Sequence, residues 1–403
     1  MGLPVKPARW PLPRVCPSIP KAAAGPEPPG SVDGTASARR VACDVRRPSA
    51  NEAPARDDWY FAEVVGGLED MAVVELTEAG AAAIEPGDGG LRVRHPRPGA
   101  LLEAGMVGAV YRELRFAVPR PKALLGDAAA RRLAGAVVDV ARAAQPGMRS
   151  FRLAAAGSDS AVFRRIADLI AATTSLREAQ ADGELLIRIR PYSEGGGGGW
   201  EVLLRLTPRP LSTRAWRVCN RPGGLNATVA VALNEMLGLD RDGAYLNLMC
   251  GSGTLLVERA LAAPHGRLVG VDIDRQALEC TATNLAAAGV AQAAELVAAD
   301  VADPALEQRL HAMVGATGGF TAIAADVPWG DAVGSHDANR GLHLSVSRVA
   351  MRLLAPGGRL GVVSHEIRLL KEVFELDGQW RVVSRRQVKH GGHNPVVLVL
   401  ERV

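Results

Sequence analysis

Asn247-Leu248-Met249-Cys250-Gly251-Ser252-Gly253-Thr254 stands between a strand-like run at 244–248 and a helical run over Leu255–Ala262. Two glycines at that junction let the backbone turn tightly, so a ligand can approach the main chain and the N–H groups that open the helix. The stretch does not complete GxGxxG, because Leu256 holds the third glycine position, and no GxxxxGK[ST] occurs anywhere in the chain. Both absences count against a dinucleotide site and a P-loop.

Working outward, strands read at 267–272, 294–298, 321–326 and 358–364 with helical runs between them, the alternation of an open parallel sheet. Arg381–Lys389 and Val396–Arg402 flank the turn His390–Pro395 and predict an antiparallel hairpin that closes it. Ligands of such sheets bind at the carboxyl ends of the strands, and three acids fall there. Asp272 follows the glycine pair by about 20 residues, the distance at which a carboxylate meets a ribose diol. Asp274 reads as the N-cap of the helix Arg275–Ala288, which Gly289 stops. Asp300 ends the next strand and serves equally well as a turn residue. The third acid opens Asp326-Val327-Pro328-Trp329-Gly330. Pro328 stiffens that loop, leaving a carboxylate on one side and a broad aromatic face on the other. The pair suits a planar amine: Asp326 and the Val327 carbonyl accept from an exocyclic NH₂ while Trp329 stacks on the ring. The bland alternative is a strand-end turn with a core tryptophan.

Towards the N-terminus, Leu211–Arg221 is a polar, Arg-rich connector. Before it lie two small α+β patterns. In the first, a strand-like Trp59–Val65 precedes helical spacing over Leu68–Ala79. The second comprises a long amphipathic helix over Lys122–Ala144, a strand Arg149–Ala154, a helix Ser160–Ala172, and strands Leu185–Arg190 and Trp200–Leu206 joined by the glycine run 195–199. Residues 1–58 hold 11 of the 26 prolines without apolar periodicity and read as a disordered leader. Prolines interrupt every candidate signal sequence there. The expected division is therefore 1–58 leader, 59–120 and 121–208 small α+β units, 209–225 linker and 226–403 doubly wound domain.

The 403 residues suffice for two or three cores of their own. No apolar stretch approaches the ~18 residues that span a bilayer. Five cysteines, odd in number and without CxxC, suggest neither a disulfide framework nor a thiolate zinc site, and a reducing cytoplasm is the expected setting. The net charge of +4 hides an asymmetry. Residues 112–221 carry 19 Lys/Arg against 10 Asp/Glu, a basic third that either meets phosphates or forms a solvated Arg-rich face. His365-Glu366 does not extend to HExxH, and His390-Gly391-Gly392-His393 sits in a tight turn, so neither suggests a metal.

These motifs together resemble class I S-adenosylmethionine-dependent methyltransferases, and more closely the THUMP-domain group that forms N2-methylguanosine in RNA. Asn247–Thr254 is similar to that group's DPMCGSGT loop, with Asn247-Leu248 in place of Asp-Pro. Asp326–Gly330 is similar to its (D/N)-x-P-(Y/F/W)-G substrate loop, Leu211–Arg217 to its connector and Val388–Leu398 to its closing hairpin. The resemblance implies a Rossmann-like sheet of seven strands with a C-terminal antiparallel hairpin, preceded by ferredoxin-like and THUMP-like α+β units at 59–120 and 121–208. It implies S-adenosyl-L-methionine as cofactor, lined by Asn247, Cys250, Gly251, Ser252, Gly253, Thr254, Ile273 and Val301, with Asp272 at the ribose hydroxyls and Asp300 at the adenine amine. Asp326, Val327, Pro328 and Trp329 would take the guanine. RNA is the implied partner, tRNA before rRNA, with no membrane and no metal; a monomer is compatible.

Arg209, Arg214, Arg217 and Arg221 fall where RNA would pass towards the cleft and are expected to contact phosphates; an interdomain salt-bridge network is the structural alternative. Cys250 is expected to pack and not to attack, which disfavours cytosine-C5 methylation. Two other functions stay open: an amino-methyltransferase acting on adenine or on a protein side chain, and an RNA-binding protein whose methyltransferase domain is a degenerate scaffold, as Asn247 would suggest.

Overall fold

The computed structural model describes residues 58–194, 197–238, 243–262, 266–315, 318–327, 336–389 and 394–403. Its first half is built from β1 (Tyr60–Val64), α1 (Glu69–Glu78), β2 (Ala83–Gly87), β3 (Gly90–Arg94), β4 (Val107–Phe116), α2 (Asp127–Ala143), β5 (Ser150–Ala154), α3 (Ala161–Thr174), β6 (Arg177–Glu178), β7 (Leu185–Glu194) and β8 (Gly197–Arg205). All eight strands join one sheet in the order β2-β3-β1-β4-β8-β7-β5-β6. The two α+β units read from the sequence thus share a sheet, because β4 pairs antiparallel with β8 from Tyr111↔Arg205 to Phe116↔Trp200. The long helix expected over Lys122–Ala144 breaks at Gly126, where a 3₁₀ turn over Pro121–Leu125 precedes α2. Nor is the glycine run only a loop: Gly197, Gly198 and Gly199 pair with β7. A Cβ at Gly199 would stand 2.1 Å from the Phe116 carbonyl oxygen, so no larger residue fits between these strands.

The second half runs α4 (Ala227–Leu237), β9 (Tyr245–Leu248), α5 (Thr254–Ala262), β10 (Leu268–Asp272), α6 (Arg275–Ala287), β11 (Ala294–Ala298), α7 (Pro304–Val314), β12 (Phe320–Asp326), α8 (His336–Leu353), β13 (Leu354–Ser364), the single turn α9 (Ile367–Leu370), β14 (Trp380–Gln387) and β15 (Val396–Arg402). Its seven strands take the order β11-β10-β9-β12-β13-β15-β14, parallel except for β15, which is antiparallel to both neighbours. Central parallel strands are covered on both faces and therefore read as continuous apolar runs. Tyr245-Leu246-Asn247-Leu248 is buried throughout, and Asn247 is its one polar member. Asparagine and aspartate side chains start the helices: Asn226 accepts from Thr228 N–H, Asp274 from Gln276 N–H and Asp303 from Ala305 N–H.

The two halves are packed into each other. Tyr60, Val107 and Val110 of the first sheet belong to one buried cluster with Val229, Leu233 and Tyr245 of the second half. Asp70 holds Arg386 of β14 through two bonds of 2.6 and 2.7 Å, and Gly66 bridges to Lys389. The connector at 209–225 is no free linker. Trp216 is buried against Val257 and Leu285, and Cys219 is disulfide-bonded to Cys280 on α6, which corrects the expectation of a chain without disulfides. Among the described residues no helix is long and apolar enough to cross a membrane.

Candidate active site

From β9 the chain winds outward through β10 and β11 and then returns to lay β12 on the other flank of β9. The loops leaving β9 and β12 diverge at this reversal and open a crevice at the carboxyl ends of the strands. A cleft of about 690 Å³ lies there, lined by the ends of β9, β10, β11 and β12 and by connector residues 221–225.

The loop after β9 forms its floor. Met249 and Gly251 take positive φ of 53° and 58°, and Gly253 follows at 79°. Gly253 must also be small, since a Cβ there would stand 2.6 Å from Thr281 Cγ2; at Gly251 the space is open and the demand is conformational. Asp272 fastens this loop. Its Oδ2 accepts from Gly251 N–H at 2.8 Å and its Oδ1 from Asp274 N–H at 2.9 Å, which fixes the carboxylate and leaves further lone pairs for a ligand's hydroxyls. Ile273, beside it, leaves its apolar side chain 69% exposed on the cleft wall, a surface for a flat ring.

Asn247 is 1% exposed at the cleft. Its Nδ2 donates to the Ala324 carbonyl at 3.2 Å, while its Oδ1 is buried without a partner among the described residues. An unmet buried acceptor costs about 1–3 kcal/mol, so this oxygen calls for a donor from within the cleft. Ser252 and Thr254 are buried, Val301 is buried and lines the cleft, and Asp300 is exposed at the rim, where its Oδ1 accepts from Ala302 N–H at 2.8 Å. Cys250 is no nucleophile: burial, reinforced by the Asp272 carboxylate, pushes its thiol up to about 12.

Across the cleft, Asp326 ends β12, whose preceding residue Ala325 pairs with Leu248 of β9. Its carboxyl has no hydrogen-bond partner among the described residues, and burial alone pushes it up to about 7. The Val327 side chain is fully buried and its N–H donates to Val363 O at 2.9 Å, which pins the start of the loop. Pro328 and Trp329, as well as His390 and His393, lie outside the described residues.

The four arginines expected to meet phosphates divide. Arg214 donates to Glu258 Oε1 at 2.7 Å and to the carbonyls of Leu211 and Gly105 at 2.8 and 2.7 Å. Arg217 donates to Leu225 O and Thr254 Oγ1 at 2.7 and 2.6 Å. Both are committed within the molecule, which is the interdomain network and not a phosphate site. Arg221 pairs with Asp274 and lines the cleft, and Arg209 alone is exposed. Thr281 and Asn284 of α6 escaped the sequence reading, although Thr281 donates to Gly251 O and Asn284 to Ser252 O, at 2.8 and 2.9 Å. Two polar residues three apart on the inward face of a helix were the available signal.

A doubly wound sheet with a reversed final strand, a glycine turn after its first strand and an acid ending the next defines the class I methyltransferase fold. Residues 214–395 match the UPF0020 family model, described as an RMKL-like methyltransferase domain. The chain is similar to a tRNA (guanine(6)-N2)-methyltransferase of Archaeoglobus fulgidus, 27% identical over 44% of this chain and 49% of that protein. It is also similar to the U6 snRNA (guanine-N(2))-methyltransferase THUMPD2 of Bos taurus, 35% identical over 23% of this chain and 18% of that one. The matched part thus spans about half or less of these curated relatives. Among solved structures, TrmN from Thermus thermophilus superposes over 86% of this chain and all of its own with a TM-score of 0.64, at 23% identity.

Proposed function

We propose that the protein is an S-adenosylmethionine-dependent RNA methyltransferase that forms N2-methylguanosine, with tRNA as substrate. The observation that carries this reading is the meeting, in one cleft, of a fixed carboxylate beside a glycine turn and the carboxyl that ends β12, which has no partner among the described residues. The residues present fit the cofactor. Asp272 offers acceptors to ribose hydroxyls, Ile273 an apolar face to the adenine with Asp300 at its amine, and the orphaned Asn247 Oδ1 an acceptor for the ammonium group. S-adenosylmethionine supplies, when bound, a methyl group on a sulfonium that is its own leaving group.

The chain's part is positioning. Asp326, as carboxylate, and the Val327 carbonyl accept from the guanine N2 protons, which turns the lone pair towards the methyl carbon; as the nitrogen–carbon bond forms and the charge develops on nitrogen, Asp326 takes the proton that N2 loses. Trp329 clamps the base. The first sheet, with the THUMP-like unit, holds the RNA, and Arg209 and Arg221 are the connector arginines left to guide it. A cytoplasmic site of action accords with this substrate, while the Cys219–Cys280 bond withdraws the cysteine argument for a reducing compartment. Three similar curated proteins are named guanine-N2 methyltransferases and one, of Caenorhabditis elegans, an rRNA N(6)-adenosine-methyltransferase, which favours guanine N2 and makes adenine N6 the second reading; the fit of the cofactor residues speaks against a degenerate scaffold.

Calorimetric titration of S-adenosylmethionine into the full chain tests the reading. Binding is expected, and Asp272→Ala should abolish it, because the ribose acceptor and the tether of Gly251 are lost together. A folded wild-type protein that binds no cofactor would refute the proposal.

A further inference from the structure

One wall of the cofactor cleft is not made by the sheet. Residues 221–225 of the connector close it, and the connector reaches that position by running along α6. It meets the helix at Asn284, is bonded to it at Cys280 and leaves it at Asp274, the N-cap, which pairs with Arg221. Ten helical residues, about 15 Å, separate the first of these contacts from the last.

Asn284 is fully buried, and every hydrogen-bonding position of its amide is filled. Oδ1 accepts from the N–H groups of Val218 and Cys219 at 3.0 and 2.9 Å. Nδ2 donates to Cys219 O and to Ser252 O, each at 2.9 Å. Three bonds therefore go to the connector and the fourth to the glycine loop, two neighbouring segments that both line the cofactor cleft. The neighbouring residues on this face of α6 serve the same two segments: Thr281 donates to Gly251 O, and Cys280 carries the disulfide to Cys219. No other residue type reproduces the pattern. Aspartate lacks the donors, glutamine is longer by a methylene, and an apolar residue would strand four backbone groups.

We infer that Asn284 is a positioning residue for the cofactor: it sets the distance between the connector wall and the glycine loop, and the Cys219–Cys280 disulfide backs it up. The inference rests on reading this cleft as the S-adenosylmethionine site. It separates Asn284 from a residue that only stabilises the fold, because cofactor affinity should change in protein that is fully folded. It also makes the amide and the disulfide partly redundant, so the two should couple.

The test is the dissociation constant for S-adenosylmethionine, measured by calorimetry on the full chain with the disulfide intact and after reduction by dithiothreitol, at a temperature where circular dichroism shows each variant folded. Asn284→Ala should raise Kd about tenfold with the disulfide intact and about tenfold again once it is reduced. Reduction of the wild type should change Kd by less than about threefold, since Asn284 still holds the connector. Asn284→Asp keeps the accepting oxygens but turns a repelling one on Ser252 O; it should weaken binding as Asn284→Ala does, and it serves if the alanine variant does not fold. Glu401→Ala, which breaks a pair with Arg359 and Arg381 at the amino end of β13, the opposite edge of the sheet from the cleft, should lower the melting temperature and leave Kd within about twofold. Folded Asn284 variants that bind within about twofold of the wild type in both redox states would overturn the inference. A wild type that binds no cofactor would instead fail the underlying reading, and the inference with it.

Discussion

Asp326 brings an ionisable group with a perturbed proton affinity to one edge of the cleft. Burial pushes it up to about 7, so near neutral pH it is divided between acid and carboxylate. Only the carboxylate both accepts from a base's amine protons and can take the one released, so kcat/KM should rise with pH through about 7. Asp326→Asn should remove that limb and lower kcat/KM by about 100-fold, measured as a pH–rate profile with saturating cofactor. The stability consequence has the opposite sign. The folded state keeps a proton that the unfolded chain releases near pH 4, so stability contributed by this group is present at low pH and falls as pH rises towards 7. A variant profile parallel to the wild type would assign the limb to another group.

At the scale of elements, the connector is the part whose role changes most between sequence and structure. Its arginines read as a basic track, yet Arg214 and Arg217 spend their donors on Glu258, Thr254 and nearby carbonyls. Glu258 is 4% exposed, so Arg214→Ala leaves a buried carboxylate without its partner and should cost about 3 kcal/mol in a denaturant melt. The same substitution should leave the salt dependence of RNA binding unchanged, because a committed guanidinium releases no counterions from RNA. A shallower slope at unchanged stability would return Arg214 to the RNA surface. The strands around the cleft were legible because each has a local signature: the apolar run of Tyr245–Leu248, the glycines that follow, the Asp274 cap. The pairing of β4 with β8, the Cys219–Cys280 bond and the bonds of Asn284 join residues 32 to 94 apart, and such contacts leave no period or spacing in a single chain.

For the whole molecule, the site is an intersection. The second sheet supplies its floor, the connector its outer wall, and the first sheet is anchored to both through the shared core, Arg214 and the Asp70–Arg386 pair. An RNA held on the first sheet therefore meets the cleft through rigid contacts and not across a loose tether. The acids of the cleft could be placed at strand ends from sequence alone, whereas which segment faces them depends on how the halves dock. The central claim is the identity of the methylated atom. The most direct measurement is transfer of labelled methyl from S-adenosylmethionine to RNA by the full chain, followed by nucleoside analysis and by repetition with inosine replacing guanosine. Label in N2-methylguanosine that inosine abolishes is the predicted result; label in N6-methyladenosine, or transfer that survives inosine, would contradict the account.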